Sequence, residues 1–269
     1  MRGIFAAGVL DLWLERGHPP FELAIGSSAG ACNLSSHLAG QHLRNQRCFL
    51  TLMRRREFVD ARRFVRGGHW LDIDYLWQAF DQEVPLDVAA VAAGPTRFVV
   101  AATAVDTGAA EYFEPDAAAM SEVLRASSAV PVLFRRFVEL GGRPFTDGGL
   151  SAPIPVEEAY RRGARRIVVI RSRAAEFPGP SRVEGALAAA ALRRHPALVG
   201  AFRRYRAVYQ RARAFLHQPP ADCQIIHVAP EGLRTSRVTR DPTVLMADYQ
   251  RGRAAGARAL DAWLALLGA

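Results

Sequence analysis

Phe21-Glu22-Leu23-Ala24-Ile25-Gly26-Ser27-Ser28-Ala29-Gly30-Ala31-Cys32-Asn33-Leu34 is the stretch on which the fold turns. Phe21 to Ile25 is apolar at four of five positions and reads as a short strand, whereas Ala29 to Ala39 reads as a helix that Gly40 ends. Between them stands Gly26-x-Ser28-x-Gly30. Strand, sharp turn and helix together make a nucleophile elbow, in which the flanking glycines permit a strained turn that leaves the middle hydroxyl above the sheet edge. The free amides and positive dipole end of the following helix can stabilise an anion forming beside Ser28. The competing reading is a tight turn with Ser28 as a simple helix N-cap.

Upstream, Gly3 to Arg16 carries Phe5, Val9, Leu12 and Trp13 at helical spacing and stops at Gly17. Downstream, Arg44 to Phe80 is Arg-rich and mostly helical, with a break at Gly67-Gly68. Arg97 to Val105 is a dense β-type run, and Glu111 to Phe113 pairs with it across the turn at Asp106-Thr107-Gly108. Met120 to Ala126 is helical, Phe137 to Leu140 and Pro144 to Thr146 are strands about Gly141-Gly142, and the second ends at Asp147-Gly148-Gly149. A helix from Val156 to Arg162 and a strand from Arg166 to Arg171 follow. The last third holds an Arg-rich helical region from about Val183 to Leu216 broken at Pro196, a strand at Gln224 to Val228 and a final helix to Leu267. The alternation predicts a three-layer α/β/α sandwich with a largely parallel central sheet. It forms a single domain over 1–269, with a core of about 1–172 and a C-terminal helical extension of about 183–269.

The 269 residues carry 35 Lys+Arg against 26 Asp+Glu, a formal charge of +9, and every one of those basic residues is Arg. That excess fits an anionic lipid surface, nucleic acid or a solvated exterior. No nucleic-acid motif accompanies it, so no nucleic-acid partner is expected. Cys32, Cys48 and Cys223 are too dispersed for a metal site or a disulfide framework, so no metal is expected and a reducing compartment fits. No apolar run approaches the ~20 residues of a membrane span. Ile4 to Leu14 contains Asp11 and lacks a cleavage site, so it is an amphipathic helix and not a signal peptide. A cytoplasmic protein that touches membranes from outside is the expectation.

A nucleophilic serine needs a base. His195, His217 and His227 lie downstream, and chain order alone admits a histidine partner. Position argues against it, because only about one helix and one strand precede Ser28, fewer than an α/β-hydrolase elbow requires. His195 and His217 fall in polar, Arg-rich helices and face solvent on this reading, while His227, inside Ile225-Ile226-His227-Val228, reads as a packed strand residue. Asp147 ends a strand and precedes Gly148-Gly149, whose missing side chains let another segment approach its carboxylate. Burial would raise its pKa toward that of a useful base. An Asx-type turn at Asp-Gly-Gly is the plain structural alternative.

Arg2-Gly3-Ile4-Phe5-Ala6-Ala7-Gly8-Val9-Leu10-Asp11, Ile25 to Ala31, Ala126-Ser127-Ser128-Ala129-Val130-Pro131 and Asp147-Gly148-Gly149 recur in an order and spacing that resemble the patatin-like phospholipase family, especially its bacterial members. Arg240-Asp241 and Tyr249-Gln250-Arg251-Gly252 also suit that family's C-terminal helix, so the likeness covers nearly the whole chain. The resemblance implies an α/β/α sandwich and cleavage of acyl esters of phospholipids or related lipids without any cofactor. It makes Ser28 the nucleophile and Asp147 the proton acceptor of a Ser-Asp dyad, within the motif residues Gly26, Ser27, Ala29, Gly30, Gly148 and Gly149. Members also carry a first strand ending in a glycine-rich oxyanion loop of the type Asp-Gly-Gly-Gly-x-Arg-Gly. Here only Met1-Arg2-Gly3 corresponds, so the first strand and loop read as truncated, Arg2 and Gly3 are the remnant, and the amide of Ala29 compensates in part. Losing an oxyanion donor costs on the order of 100-fold in rate. A catalytically impaired lipid- or protein-binding member, and an acyltransferase using the same dyad, are the rival expectations.

Two surface readings stay open. Arg193, Arg194, Arg203, Arg204, Arg206, Arg211 and Arg213, spaced among small apolar residues, either rest on an anionic membrane or form a solvated helix face. Trp70, Leu71, Tyr75, Leu76, Trp77 and Phe80 either line an acyl pocket or belong to the core.

Overall fold

The computed structural model describes residues 1–177 and 182–268. In chain order the elements are α1 (Ile4–Arg16), β1 (Leu23–Ser27), α2 (Ala29–Leu38), α3 (Arg44–Leu50), α4 (Ala61–Val65), α5 (Ile73–Glu83), α6 (Val88–Ala93), β2 (Arg97–Ala104), β3 (Ala110–Phe113), α7 (Met120–Ser128), β4 (Val138–Leu140), β5 (Arg143–Asp147), α8 (Val156–Arg161), β6 (Arg166–Ile170), α9 (Arg182–Ala191), α10 (Pro196–His217), β7 (Gln224–Val228) and α11 (Pro242–Leu267). Aspartates set several helix starts. Asp60, Asp72, Asp87 and Asp241 accept amide hydrogens from the first turns of α4, α5, α6 and α11. The helical region expected up to Leu216 is broken as its sequence implies, with Pro196 opening α10. Residues 178–181, in the join between the expected core and its helical extension, and residue 269 lie outside the described part.

Pairing is mixed where the strand-helix alternation predicts mostly parallel neighbours. β1 lies parallel to β2, and β6 parallel to β7. By contrast β3 and β5 join β2 antiparallel, and β4 joins β5 antiparallel. Short connections are the cause, since Gly141 and Gly142, at φ 58° and 75°, fold β4 back on β5 within two residues, and a parallel return needs a long crossover.

Alternate strand residues face two helical layers. Ala24, Phe98 and Val100 meet α2, α6 and α7, while Val168, Ile170, Ile226 and Val228 meet α1 and α11. On the opposite face Ile25, Ile167, Val169 and Ile225 pack with α8 and α10. This is the three-layer arrangement the pattern predicts, and the period of two in β6 and β7 builds it. The aromatic run of α5 belongs to the core: Leu71 and Leu76 are buried in it, and Trp70, Tyr75, Trp77 and Phe80 pack against it.

α11 crosses α1 at backbone contact. A Cβ on Gly8 would stand 2.1 Å from the Tyr249 carbonyl oxygen, and one on Gly252 would stand 2.0 Å from that of Phe5. The Trp13 indole donates to the Gly256 carbonyl at 2.8 Å, and the Tyr249 hydroxyl donates to buried Asp11 at 2.9 Å. The C-terminal helix thus shares a core with the first helix. Among the described residues β1 pairs with β2 alone and β6 with β7 alone. Between β1 and β6 lies a cavity of about 230 Å³, walled by Leu23, Ile25, Ile167 and Val169 and reaching Gly3.

Candidate active site

β2 is the ruler of the site. Ser27, the last residue of β1, is in register with Ala101, and Asp147, the last residue of β5, is in register with Ala102. Adjacent residues of one central strand therefore bring together Ser28 and Asp147, 119 positions apart in the chain. The Ser28 hydroxyl donates to Asp147 Oδ2 at 2.6 Å.

Ser28 occupies φ 54°, ψ −131°, a left-handed conformation that a side-chain-bearing residue holds only when its surroundings enforce it. Ser127 provides the restraint. Its hydroxyl accepts the Ser28 amide hydrogen at 2.8 Å and donates to the Ala101 carbonyl at 2.6 Å, tying the turn to β2. On the other side the Ser27 hydroxyl donates to the Ala152 carbonyl at 2.6 Å. Gly26 is sterically required, because a Cβ there would lie 2.5 Å from Ala31 Cα. Gly30 is not, since nothing lies within 4 Å of the corresponding position. The Ser28 hydroxyl points at Asp147 and caps no amide of α2, which disposes of the simple N-cap reading.

Asp147 is buried, and Oδ1 accepts the Gly149 amide hydrogen at 2.8 Å while Oδ2 receives Ser28. The Asx-type turn is therefore present together with the serine contact. Gly148 admits the close approach: a Cβ on it would sit 1.9 Å from the Ala101 carbonyl oxygen. Thr103 Oγ1 donates to the Asp147 carbonyl at 2.7 Å, and the Asp147 amide donates to the Ala129 carbonyl at 3.0 Å. Burial pushes the carboxyl above its ordinary pKa, partly opposed by the hydrogen bonds from Ser28 and Gly149 and by the positive charge of Arg237.

Gly3 stands beside the Ser28 turn, its would-be Cβ 3.0 Å from Ala29 Cβ, and its carbonyl accepts from the Asn33 amide group at 2.7 Å. Among the described residues the amides of Gly3, Ala29 and Gly30 donate to no protein acceptor, whereas that of Ser28 is engaged. Arg2 leads into α1 at the same end.

The histidines lie elsewhere. His227 sits in β7 with Nε2 3.3 Å from the guanidinium of buried Arg171, and its pKa is lowered to about 4 by burial and that neighbouring charge. His217 is exposed and edge-on to it. His195 is half-buried against Phe137 at 4.9 Å and not turned to solvent as its polar surroundings suggest, because the apolar ring shields it. None contacts Ser28 or Asp147 among the described residues. Nor does any group of three or more His, Cys, Asp or Glu there stand where it could hold a metal ion.

Residues 1–160 match the family described as patatin-like phospholipase. The chain belongs to the patatin-like phospholipase family. Residues 195–268 match a second description, a domain of unknown function (DUF6363). A relative from Escherichia coli (strain K12), "Uncharacterized protein YjjU", is 35% identical over 263 residues, covering 95% of this chain and 73% of that protein. Patatin-like membership supports lipid acyl hydrolysis as the activity class. Among the described residues no helix is long and apolar enough to cross a membrane.

Sequence reasoning quoted Ser127 within a motif and assigned it no task. A hydroxyl at the next-to-last position of α7, on a face otherwise lined by Met120, Val123 and Leu124, was the available signal. Thr103 gave none, lying in a uniformly buried β2 where a threonine is an ordinary strand residue.

Proposed function

We propose that this protein is a serine acyl hydrolase that cleaves carboxylic ester bonds of phospholipids or related acyl lipids through an acyl-enzyme on Ser28, with Asp147 as the sole side-chain base. The observation that carries the reading is the 2.6 Å hydrogen bond from Ser28 Oγ to a buried carboxylate. Oγ attacks the ester carbonyl as its proton passes to Oδ2, the tetrahedral oxyanion collapses with loss of the alcohol or lysolipid, and the proton leaves with it. Water then attacks the acyl carbon as its proton passes to Asp147, and collapse of the second tetrahedral intermediate breaks the ester bond to Ser28 Oγ, returns that proton to Oγ and releases the fatty acid. The amides of Ala29 and Gly3, which have no protein acceptor, are the proposed oxyanion donors, with Arg2 at the same helix end. The twice-matched chain works as one domain on this reading, because α11 supports α1 and α1 carries Gly3 beside the nucleophile.

Fluorophosphonate labelling tests the core of it. Wild type is expected to label at Ser28 and to hydrolyse p-nitrophenyl butyrate, with Ser28→Ala inert and Asp147→Asn slowed at least 100-fold. Equal labelling of wild type and Ser28→Ala, or loss of turnover in His227→Ala with retention in Asp147→Asn, would sink it. Product analysis with an added alcohol separates hydrolysis from acyl transfer.

A further inference from the structure

α4 lies at the surface, with none of its five residues buried. Asp60 caps it by accepting the amide hydrogens of Arg62 at 2.8 Å and Arg63 at 3.3 Å. Arg63 turns inward, donating to the carbonyls of His69, Glu57 and Phe58 and lying 3.7 Å from Asp72. The opposite face is Ala61, Arg62, Val65 and Arg66, all exposed and walling a shallow recess. Spacing of four along the helix stacks Ala61 with Val65 and Arg62 with Arg66. Val65 is 85% exposed, and among the described residues neither guanidinium has a carboxylate within ion-pair distance. Exposed Arg56 and Arg135 add to the positive charge, the latter's guanidinium lying 4.5 Å over the Phe64 ring. Asp60, committed to the cap, Asp72, beside Arg63 on the inward face, and exposed Glu57 are the neighbouring acids.

This face is hitched to the segment that leaves the candidate site. Ala129 accepts the Asp147 amide, and a few residues on the Leu133 carbonyl accepts the amides of Trp70 and Leu71 at 2.8 and 3.1 Å. The Arg135 amide then donates to His69 Nδ1 at 3.0 Å.

We propose that the Ala61–Arg62–Val65–Arg66 face of α4 is the surface by which this protein docks on an anionic lipid bilayer. An apolar tip between two uncompensated guanidinium groups matches a bilayer interface, where Val65 enters below the headgroups while Arg62 and Arg66 stay among the phosphates. A nucleic-acid surface would use the cations and leave Val65 in water. The arginines of α10 are partly engaged, Arg211 with Glu157 at 2.6 Å and Arg213 with Gln210 at 3.4 Å, which is why α4 is favoured over that helix. The proposal takes its purpose from the lipid reading of Ser28 and Asp147, and its test does not need turnover.

Co-sedimentation of the full chain with phosphatidylcholine vesicles, with and without phosphatidylglycerol, reads the docking directly. Wild type is expected to bind the anionic vesicles and to be released by high salt. At roughly 5-fold in partitioning per arginine near an anionic surface, R62Q/R66Q should weaken binding by roughly 30-fold, and V65D should weaken it as well. Both variants should keep the wild-type thermal midpoint and hydrolysis of p-nitrophenyl butyrate, and R203Q/R204Q on α10 should bind as wild type does. Wild-type binding by R62Q/R66Q, release by R203Q/R204Q instead, no preference for anionic vesicles, or displacement by duplex DNA would each overturn the proposal. If Ser28→Ala docks and wild type cleaves no ester, docking stands and the hydrolase reading alone falls.

Discussion

Gly26 and Gly30 are interchangeable in the pentapeptide motif and unequal in the molecule, which makes a paired substitution informative. In Gly26→Ala the new methyl would lie 2.5 Å from Ala31 Cα and 2.6 Å from its nitrogen, so the start of α2 must move by roughly 1 Å to restore an ordinary contact of at least ~3.4 Å. Overpacking of that kind costs about 1–3 kcal/mol of stability. The kinetic loss is larger, because the displacement carries Ser28 away from a 2.6 Å hydrogen bond, and a 1 Å error at a reacting group costs on the order of 100-fold. Gly30→Ala places its methyl in open space within a helical turn, where alanine is favoured by about 0.5–1 kcal/mol. Thermal melts and second-order fluorophosphonate labelling rates on both variants give the comparison. Gly26→Ala should melt lower and label at about one hundredth of the wild-type rate, while Gly30→Ala should melt at or above wild type and label normally. Equal losses in the two variants, or a Gly26→Ala protein with normal labelling, would refute the claim that close packing of β1 on α2 fixes the nucleophile.

Burial raises the Asp147 pKa above 3.8, so the folded chain holds that proton more tightly than the unfolded one. Stability therefore falls as pH rises through the window between the two values and stays reduced above it; Asp147→Asn should melt above wild type at neutral pH, with the gap closing in acid and activity lost throughout. In wild type, labelling should fall on acidification with a midpoint above 3.8, and a midpoint at or below it would contradict the burial argument. Ser127→Ala leaves the half-buried amide of Ser28 without its acceptor and should cost about 1–3 kcal/mol and a large part of the labelling rate, whereas Ser128→Ala, whose hydroxyl among the described residues meets Cys32 Sγ at 3.4 Å, should cost under about 1 kcal/mol. Gly252→Ala would drive a methyl to 2.0 Å from the Phe5 carbonyl oxygen and should lower the thermal midpoint by several degrees; an unchanged melt would mean that α1 and α11 are not tightly docked.

What the sequence revealed and what it concealed divide along physical lines. Strand, turn and helix around Ser28 were legible because an apolar run, two glycines and a helix-forming stretch are all local signals. Asp147 stood out as the partner of Ser28 because it ends a strand ahead of two glycines, and the resemblance named the same residue, but nothing local says that Ala101 and Ala102 set β1 and β5 end to end. The turn at Gly141 and Gly142 between β4 and β5 was legible for the same local reason, whereas the antiparallel seating of β5 on β2, which departs from a largely parallel sheet, joins distant segments and left no local signal. Ser127 was hidden because its task is to hold another residue's backbone, which leaves no pattern in its own neighbourhood.

On the proposed mechanism, that Ser28 and Asp147 need no histidine follows from how the carboxylate is presented. An aspartate in water is a poor base for a serine hydroxyl because solvent stabilises its anion and any rotamer is open to it. Here Oδ1 is occupied by the Gly149 amide, which fixes the rotamer and leaves Oδ2 as the oxygen facing Ser28. Desolvation raises the basicity of that oxygen, and among the described residues no guanidinium sits in hydrogen-bond contact to lower it again, Arg237 acting through its field. With Ser28 Oγ at 2.6 Å no intermediary is needed, and a histidine inserted between them would require a separation of several ångströms that the adjacent register positions on β2 do not provide. On the proposed mechanism, the direct transfer is therefore a consequence of strand register, and any change that separates the ends of β1 and β5 should abolish activity before it unfolds the chain.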